Sequence, residues 1–371
     1  MKLYAIYFPQ FYVTKENSRW WGNGFTDWDL VENARPLFKE HYQPRVPKLG
    51  YLDQSLSSTI IKQVELAKAN GIDGFNFYHY WFDDKPYLEK PVDNFLQSKV
   101  DSFEFFFTWA NESWTRQWIG KPNEYLLKQN YYTNNKSIEK HYKYLSFFFL
   151  DPRYKKIDNK PVYCIYRPEL IPNLENMMEL FSCLSQRDGF DGVYFIAFRS
   201  YDILNDFNCY RKFNAIVNFN PRYSINKHLN SKRYNKYLRL FPEFIQLKLA
   251  FFRSLIQRKS VFNYKDYVES LYMTDSLFNN IPVYDSVFPD WDNTARYNKR
   301  ATLFNNVSSE LFYSSLEIVA TKQSKHENKM IFINAWNEWS ESAYLEPDMK
   351  YSYSSLQVVS DFKTKIINRH L

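Results

Sequence analysis

The stretch Ile331-Phe332-Ile333-Asn334-Ala335-Trp336-Asn337-Glu338-Trp339-Ser340-Glu341 decides how this chain is read. A short apolar run bounded by asparagine reads as a buried strand. It ends in two tryptophans, an asparagine and two glutamates. Carboxylates at the end of a buried strand are costly to desolvate, so their presence there implies chemistry. Acids for proton transfer beside flat apolar rings fit a site that handles a sugar.

Working outward, seven further apolar runs resemble that strand: Leu3–Phe8, Gly74–Tyr80, Phe103–Trp109, Val162–Tyr166, Val193–Phe198, Ala215–Phe219 and Val283–Phe288. Helix-like segments separate them. Leu56–Asn70 is expected to be capped near Asp53 or Ser55 and ended by Gly71. Ser137–Phe149, Leu174–Gln186 and a final Ser354–Ile367 follow the same pattern. Buried strands alternating with helices predict a parallel α/β sheet, and eight repeats with a closing helix predict a single (β/α)8 TIM-type barrel over residues 1–371. An open doubly wound sheet would place a glycine-rich phosphate turn after its first strand. Here Pro9-Gln10-Phe11-Tyr12 follows instead.

A minimal barrel needs roughly 250 residues, so about 120 of the 371 are elaborated loops. One lies at Gln10–Gly50. Another is a basic insertion at about 222–280, after the sixth strand. From Arg222 to Lys265 there are eleven Lys/Arg and one acid, Glu243, a local charge of +10 in a chain of net +7. Within it, Pro242–Lys259 mixes Phe, Leu and Ile with cations. That is the pattern of a basic amphipathic helix at an inner-membrane surface or near a diphosphate-lipid carrier, or of a helix packed on the barrel with a solvated basic face. No nucleic-acid motif accompanies the charge, and no nucleic-acid partner is expected.

Aromatic residues make up 20% of the chain, with 31 Tyr, 33 Phe and 10 Trp. Compositional drift accounts for the larger share of this excess, and the clustered remainder points to carbohydrate contact. Three separated cysteines, Cys164, Cys183 and Cys209, argue against a disulfide framework and against a zinc site. No cofactor and no metal are expected. The chain opens on Lys2-Leu3-Tyr4-Ala5-Ile6 with no signal-peptide core, and a cytoplasmic location, peripheral to the inner membrane, is the expectation.

In a barrel the site forms at the carboxyl ends of the strands. Those ends supply Gln10, Trp20 and Trp21 after the first strand, and Tyr78, His79 and Trp81 at the second. Trp109, Asn111, Glu112 and Trp114 close the third. Arg167 follows the fourth; Asp292, Asn293 and Arg296 follow the seventh; Trp336, Asn337, Glu338, Trp339 and Glu341 end the eighth. Glu338 and Glu341 are the expected catalytic pair, because glycosyl transfer needs one carboxyl to protonate a leaving oxygen and another to act as base or nucleophile. The others are expected to bind substrate. Glu112 reads either as a further carboxylate of the site or as a salt bridge to Arg116 or Arg167. His79 reads either as a hydroxyl partner or as a satisfied core residue. Asp290-x-Asp292 matches a metal-holding pair only on paper, and hydroxyl binding or orientation of Arg296 is the better reading.

Motifs along almost the whole chain carry a family resemblance. They include Phe8-Pro9-Gln10-Phe11, Trp20-Trp21-Gly22-x-Gly24-Phe25-Thr26-x-Trp28 and His41-Tyr42-Gln43-Pro44. They continue through Gly71-Ile72-Asp73-Gly74-Phe75, Tyr78-His79-Tyr80-Trp81-Phe82 and Trp109-Ala110-Asn111-Glu112-x-Trp114-Thr115-Arg116. Asp151-Pro152-Arg153-Tyr154, Trp291-Asp292-Asn293-Thr294-x-Arg296 and Asn334-Ala335-Trp336-Asn337-Glu338-Trp339 complete the set. With these the chain resembles the glycoside hydrolase family 99-like, WbsX-type glycosyltransferases of bacterial surface-polysaccharide (O-antigen and capsule) clusters. The resemblance implies a barrel and a carbohydrate or lipid-linked oligosaccharide substrate. Glu338-Trp339-x-Glu341 is similar to the Glu-Trp-x-Glu segment of the family 99 endo-α-mannosidases. That likeness implies that Glu338 is the base acting on a sugar 2-hydroxyl, that Glu341 is the general acid/base, and that configuration is retained through an anhydro-sugar. The chain differs at Ser340 and Ser342, where those hydrolases carry His and Gly. Transfer is the first expectation; hydrolysis or transglycosylation by the same carboxylates, or a sugar-binding barrel without catalysis, are the rivals.

Overall fold

Each apolar run forms a parallel strand in the computed structural model, which describes residues 1–98, 100–117, 120–200, 207–229, 259–273, 276–278 and 280–369. The strands are β1 (Lys2–Tyr7), β2 (Gly74–Phe82), β3 (Glu104–Trp109), β4 (Lys160–Ile165), β5 (Tyr194–Arg199), β6 (Ala215–Asn218), β7 (Val283–Val287) and β8 (Met330–Ile333). Each pairs in parallel with its sequence neighbour, and β8 returns to β1 with Leu3 opposite Ile331 and Ala5 opposite Ile333. The result is a closed eight-stranded barrel. Strands covered on both faces carry apolar side chains at most positions, which is why they read as largely apolar runs; buried exceptions such as Asn76, Thr108 and Asp285 are hydrogen-bonded to neighbouring strands. Tyr4 of β1 meets Phe106 of β3 edge to face at 5.0 Å, and Phe332 of β8 lies 6.0 Å from Phe106, so aromatic rings fill the interior.

Helices cover the outside: α1 (Lys15–Trp21) and α2 (Asp27–Asn33) in the first loop, then α3 (Ser57–Ala69), α4 (Lys90–Gln97), α5 (Asn135–Phe149), α6 (Leu174–Arg187), α7 (Tyr264–Ser270), α8 (Ser309–Gln323) and α9 (Ser354–Arg369). Their buried positions recur at helical spacing, as with Ile60, Val64 and Ala67 of α3. Between β5 and β6 the described helix is one turn, Phe207–Tyr210. The expected cap of α3 is different. Asp53 accepts from the amide of Ser55 in a turn ahead of the helix, and Leu56 takes the cap position with no side-chain bond. Asn134 caps α5 and Ser308 caps α8 through their side chains.

Gly74 opens β2 where the sheet is tightest. A Cβ there would stand 2.2 Å from the carbonyl oxygen of Glu104 on β3, so only glycine fits. Gly71 serves differently: its φ of +86° turns the chain out of α3.

The first long loop, Gln10–Gly50, carries α1 and α2 across the carboxyl end of the barrel and is tied there to the loops after β7 and β8. Of the basic insertion, 230–258 lies outside the described residues, and with it nearly all of the expected helix Pro242–Lys259. Among the described residues no helix is long and apolar enough to cross a membrane.

Candidate active site

After β8 the chain turns into a two-residue hairpin, Asn337–Glu338 against Ala343–Tyr344, closed by a 3-10 turn at Trp339–Glu341 and a left-handed Ser342. Asn337 clamps the end of β1: its Oδ1 accepts from the amide of Phe8 at 2.8 Å and its Nδ2 donates to the carbonyl of Phe8 at 2.9 Å. Trp336 donates its amide to the Ile6 carbonyl at 2.7 Å. Trp339 stacks on Tyr344 with ring centroids 3.7 Å apart and donates its indole N–H to Glu346 at 2.7 Å. The hairpin therefore has little freedom, and the two glutamates it carries are held by packing and by hydrogen bonds.

Both glutamates meet one guanidinium. Arg296, from the helical turn after β7, places Nη2 3.1 Å from Oε2 of Glu338 and Nη1 3.0 Å from Oε1 of Glu341. Asp27, in the first turn of α2, shares the same Nη2 at 3.3 Å and accepts from the Ser340 hydroxyl at 3.3 Å. Arg222 approaches Glu341 at 3.5 Å. Burial pushes the carboxyl of Glu338 up to about 8, with Arg296 only partly opposing the rise and Glu341 and Asp27 adding to it. Burial raises Asp27 too, against the pull of Arg296. The Tyr78 and Tyr80 hydroxyls, also buried, are held well above the ordinary phenol value.

A cavity of about 170 Å³ opens on this cluster, lined by Arg296, Glu341 and Asp27 at one side and by Trp20, Trp21 and Trp114 at another. Tyr78, Tyr80, Tyr166, Phe219, Phe8, Gln10, Glu112 and Arg222 complete much of its wall. Rings with polar tips beside carboxyls and guanidiniums suit the two faces of a pyranose, one apolar and one hydroxylated. Trp20 and Trp114 meet edge to face at 5.7 Å, and Arg116 fixes the Trp20 segment through its carbonyl at 2.9 Å.

Of the residues expected from sequence, the structure brings Gln10, Trp20, Trp21, Tyr78, Glu112, Trp114, Arg296 and Glu341 to the cavity wall. Glu338 is not on that wall; it is 1% exposed, behind Arg296. Trp336, Asn337 and Trp339 also lie off the wall, because the hairpin turns them onto β1, α2 and Tyr344. His79, Trp81 and Trp109 surround His141 of α5 on the outer side of the strands instead of facing the cavity. His79 and His141 share an Nε2–Nε2 hydrogen bond of 2.7 Å, and Trp81 stacks on His141 at 4.4 Å. Asn111 brackets the backbone of Arg167 through both ends of its amide. Glu112 is paired with Arg167 at 2.6 Å, as its salt-bridge reading expects, and it also lines the cavity.

Asp292 and Asn293 serve the loops. Asp292 accepts from His41 at 2.8 Å and Gln43 at 2.6 Å, and Asn293 accepts from the amide of Thr302 at 2.7 Å. Asp290 pairs with Arg45 at 2.7 Å. Among the described residues no group of three His, Cys, Asp or Glu could hold a metal ion.

Sequence reasoning missed Asp27. It fills the variable position of Gly24-Phe25-Thr26-x-Trp28 and reads there as a first-turn helix acid beside the Thr26–Asp29 capping box. Tyr80, Tyr166, Phe219 and Arg222 stand at strand ends, where their arrival in the cavity was legible in principle.

The model of the family described as glycosyltransferase WbsX matches residues 3–359. Protein WxcX of Xanthomonas campestris pv. campestris strain B100 is 28% identical over 370 residues, 98% of this chain and 50% of its own length. The chain thus spans about half the length of the curated relatives it matches. In structure, the family 99 endo-α-mannosidase of Bacteroides thetaiotaomicron in complex with bis-tris-propane is similar with a TM-score of 0.59 at 14% identity, over 99% of this chain and 98% of that one. A glycoside hydrolase-like protein is similar with a TM-score of 0.55 at 13% identity, over 97% and 93%. At these identities the two structures speak for the barrel fold.

Proposed function

The chain belongs to the WbsX glycosyltransferase family, and we propose that it transfers a glycosyl group in bacterial surface-polysaccharide assembly through Glu338 and Glu341. Its family points to glycosidic-bond chemistry on a barrel fold. The observation that carries the finer reading is the single guanidinium of Arg296 spanning both carboxyls at 3.1 and 3.0 Å, at the edge of a ring-lined cavity.

The role of Glu341 follows from its place on the cavity wall; that of Glu338, which lies behind Arg296, follows from the family resemblance. Glu341 faces the cavity and protonates the departing glycosidic oxygen. Glu338, whose proton affinity burial brings near the working pH, has the strength that a base needs to take the proton of a sugar 2-hydroxyl. The freed oxygen closes on C1 as the leaving alcohol departs. The acceptor hydroxyl then opens the anhydro-sugar, Glu341 takes the acceptor's proton and Glu338 returns the one it held. The result is retention of configuration.

A lipid-linked oligosaccharide acceptor suits this reading, with residues 1–371 as one catalytic domain and the cationic insertion at about 222–280 drawn to an anionic inner leaflet. Incubation with lipid-linked repeat units, with water as the competing acceptor, tests it. The expected result is an extended lipid-linked product that both E338Q and E341Q fail to make while their far-ultraviolet spectra match the wild type. Release of free sugar alone would assign hydrolysis, and undiminished product from E341Q would end the proposal. Deletion of Pro242–Lys259 should reduce sedimentation with anionic liposomes.

A further inference from the structure

Asp27 reaches the cluster from another part of the chain, 313 residues from the Ser340 hydroxyl it accepts. It is buried and lines the cavity beside Arg296 and Glu341. Among the described residues, one buried guanidinium thus stands within 3.3 Å of three carboxyls: Asp27, Glu338 and Glu341. Arg296 has donors enough for all three but only one charge, and with Arg222 3.5 Å from Glu341 the cluster sets two guanidiniums against three carboxyls. Carboxyls that share a site cannot all ionise without an opposite charge for each, so the cluster retains a proton.

The three are not equivalent. Glu341 has Arg222 within 3.5 Å besides Arg296. Asp27 has the Ser340 hydroxyl. Glu338 has only Nη2 of Arg296, shared with Asp27, and its other oxygen, Oε1, is buried with no hydrogen-bond partner among the described residues. Among the described residues, further titratable groups around the cluster are Tyr78 and Tyr80 of β2 and Tyr297 beside Arg296. Raised as they are, the two β2 hydroxyls stay neutral and neither give up nor take up a proton in the range where the carboxyls titrate.

We propose that Asp27 is a positioning residue for the catalytic pair: by sharing Nη2 of Arg296 it denies Glu338 a full counter-ion and so raises the proton affinity of Glu338, the reacting form being the one in which the proton of the cluster is on Glu341 and Glu338 is ionised. This rests on the reading of Glu338 and Glu341 as that pair. Asp27 thereby makes Glu338 a stronger base than a carboxyl paired alone with arginine would be, without itself accepting the substrate's proton.

Infrared titration of the purified protein tests this without a substrate. The carbonyl band of a protonated buried carboxyl, assigned to Glu338 by its loss in E338Q, is followed with pH. In D27N its midpoint should fall by about one pH unit or more, and in D27E, which keeps the charge, it should stay at the wild-type value. A midpoint unmoved in D27N overturns the inference. Should D27N not fold, S340A carries the test: loss of the hydroxyl raises the proton affinity of Asp27 and should lower the Glu338 midpoint, and an unmoved midpoint again overturns it. Turnover of E338Q separates the two readings. An inactive E338Q with an unmoved D27N midpoint ends the role of Asp27 and leaves the pair; an active E338Q ends both.

Discussion

The amide of Asp292 donates to the carbonyl of Glu341 at 2.8 Å, so the loop after β7 supports the turn that carries the cavity-facing carboxyl. The Asp292 side chain is fixed in turn by His41, Gln43 and the Thr294 amide, the last at 3.0 Å. His41 Nδ1 accepts from the amide of Leu37, which leaves Nε2–H to donate to Asp292. Burial alone would raise the Asp292 carboxyl; the His41 bond and the charge of Arg45 outweigh it and hold the group below the usual carboxylate range. Its contribution to stability is therefore present above the unfolded value near pH 4 and lost as pH falls through the folded one. D292A should cost about 3 kcal/mol at pH 7 by urea unfolding, and D292N clearly less. A loss under about 1 kcal/mol in D292A would show that this network does not hold the turn.

Glu338 should make the fold pH-sensitive in the opposite sense. Its folded-state value of about 8 lies above the unfolded value of about 4.3. Between the two, the folded protein binds more protons than the unfolded chain, so stability falls as pH rises from about 4.5 to 8. E338Q carries a neutral group of the same shape throughout. It should match the wild type near pH 5 and exceed it by on the order of 2–4 kcal/mol at pH 8.5. Urea unfolding of both proteins across that range is the measurement, and two parallel curves would contradict the protonation state assigned to Glu338.

Gly74 and Gly71 make a second contrast. A methyl group on Gly74 meets the Glu104 backbone of the neighbouring strand at 2.2 Å, whereas one on Gly71 meets the flexible Lys363 side chain at 2.9 Å. G71A should lose about 1–2 kcal/mol from its positive φ. G74A should lose about 3 kcal/mol or more, because a backbone must move. Equal thermal midpoints for the two variants would refute this account of the strand contact.

All eight strands were legible in the sequence because a strand buried on both faces has no polar alternation to confuse with a helix. Less of the site was legible, because a strand end announces which residues are near the mouth and not which way they point. Glu341 and Arg296 reach the cavity wall, while Trp336 and Trp339, equally prominent in the motif, are turned inward by the hairpin and its left-handed Ser342. His79 is opposite in face to Tyr78 for the simplest reason: successive strand residues alternate, and its partner His141 lies on α5, 62 residues away. Asp27 was hidden by its local role, since a first-turn acid after a threonine cap already has a sufficient explanation.

That buried histidine pair supplies a last test. Burial depresses His79 to about 3, and burial together with His79 holds His141 well below the ordinary imidazole value. Unfolded histidines titrate near 6.5. Between these values the unfolded chain binds more protons, so stability is lost as pH falls below about 6.5. Each such group steepens the decline by about 1.4 kcal/mol per pH unit. H79N removes one of them along with the bond to His141, whose Nε2 then keeps, among the described residues, the Tyr163 hydroxyl at 3.4 Å. H79N should thus be weaker than the wild type by about 1–3 kcal/mol at pH 7.5, and its stability should decline less steeply, by about 1.4 kcal/mol per unit, between pH 6 and 4.5. An unchanged slope would mean that His79 accepts a proton inside the folded barrel, and the neutral pair assigned here would be wrong.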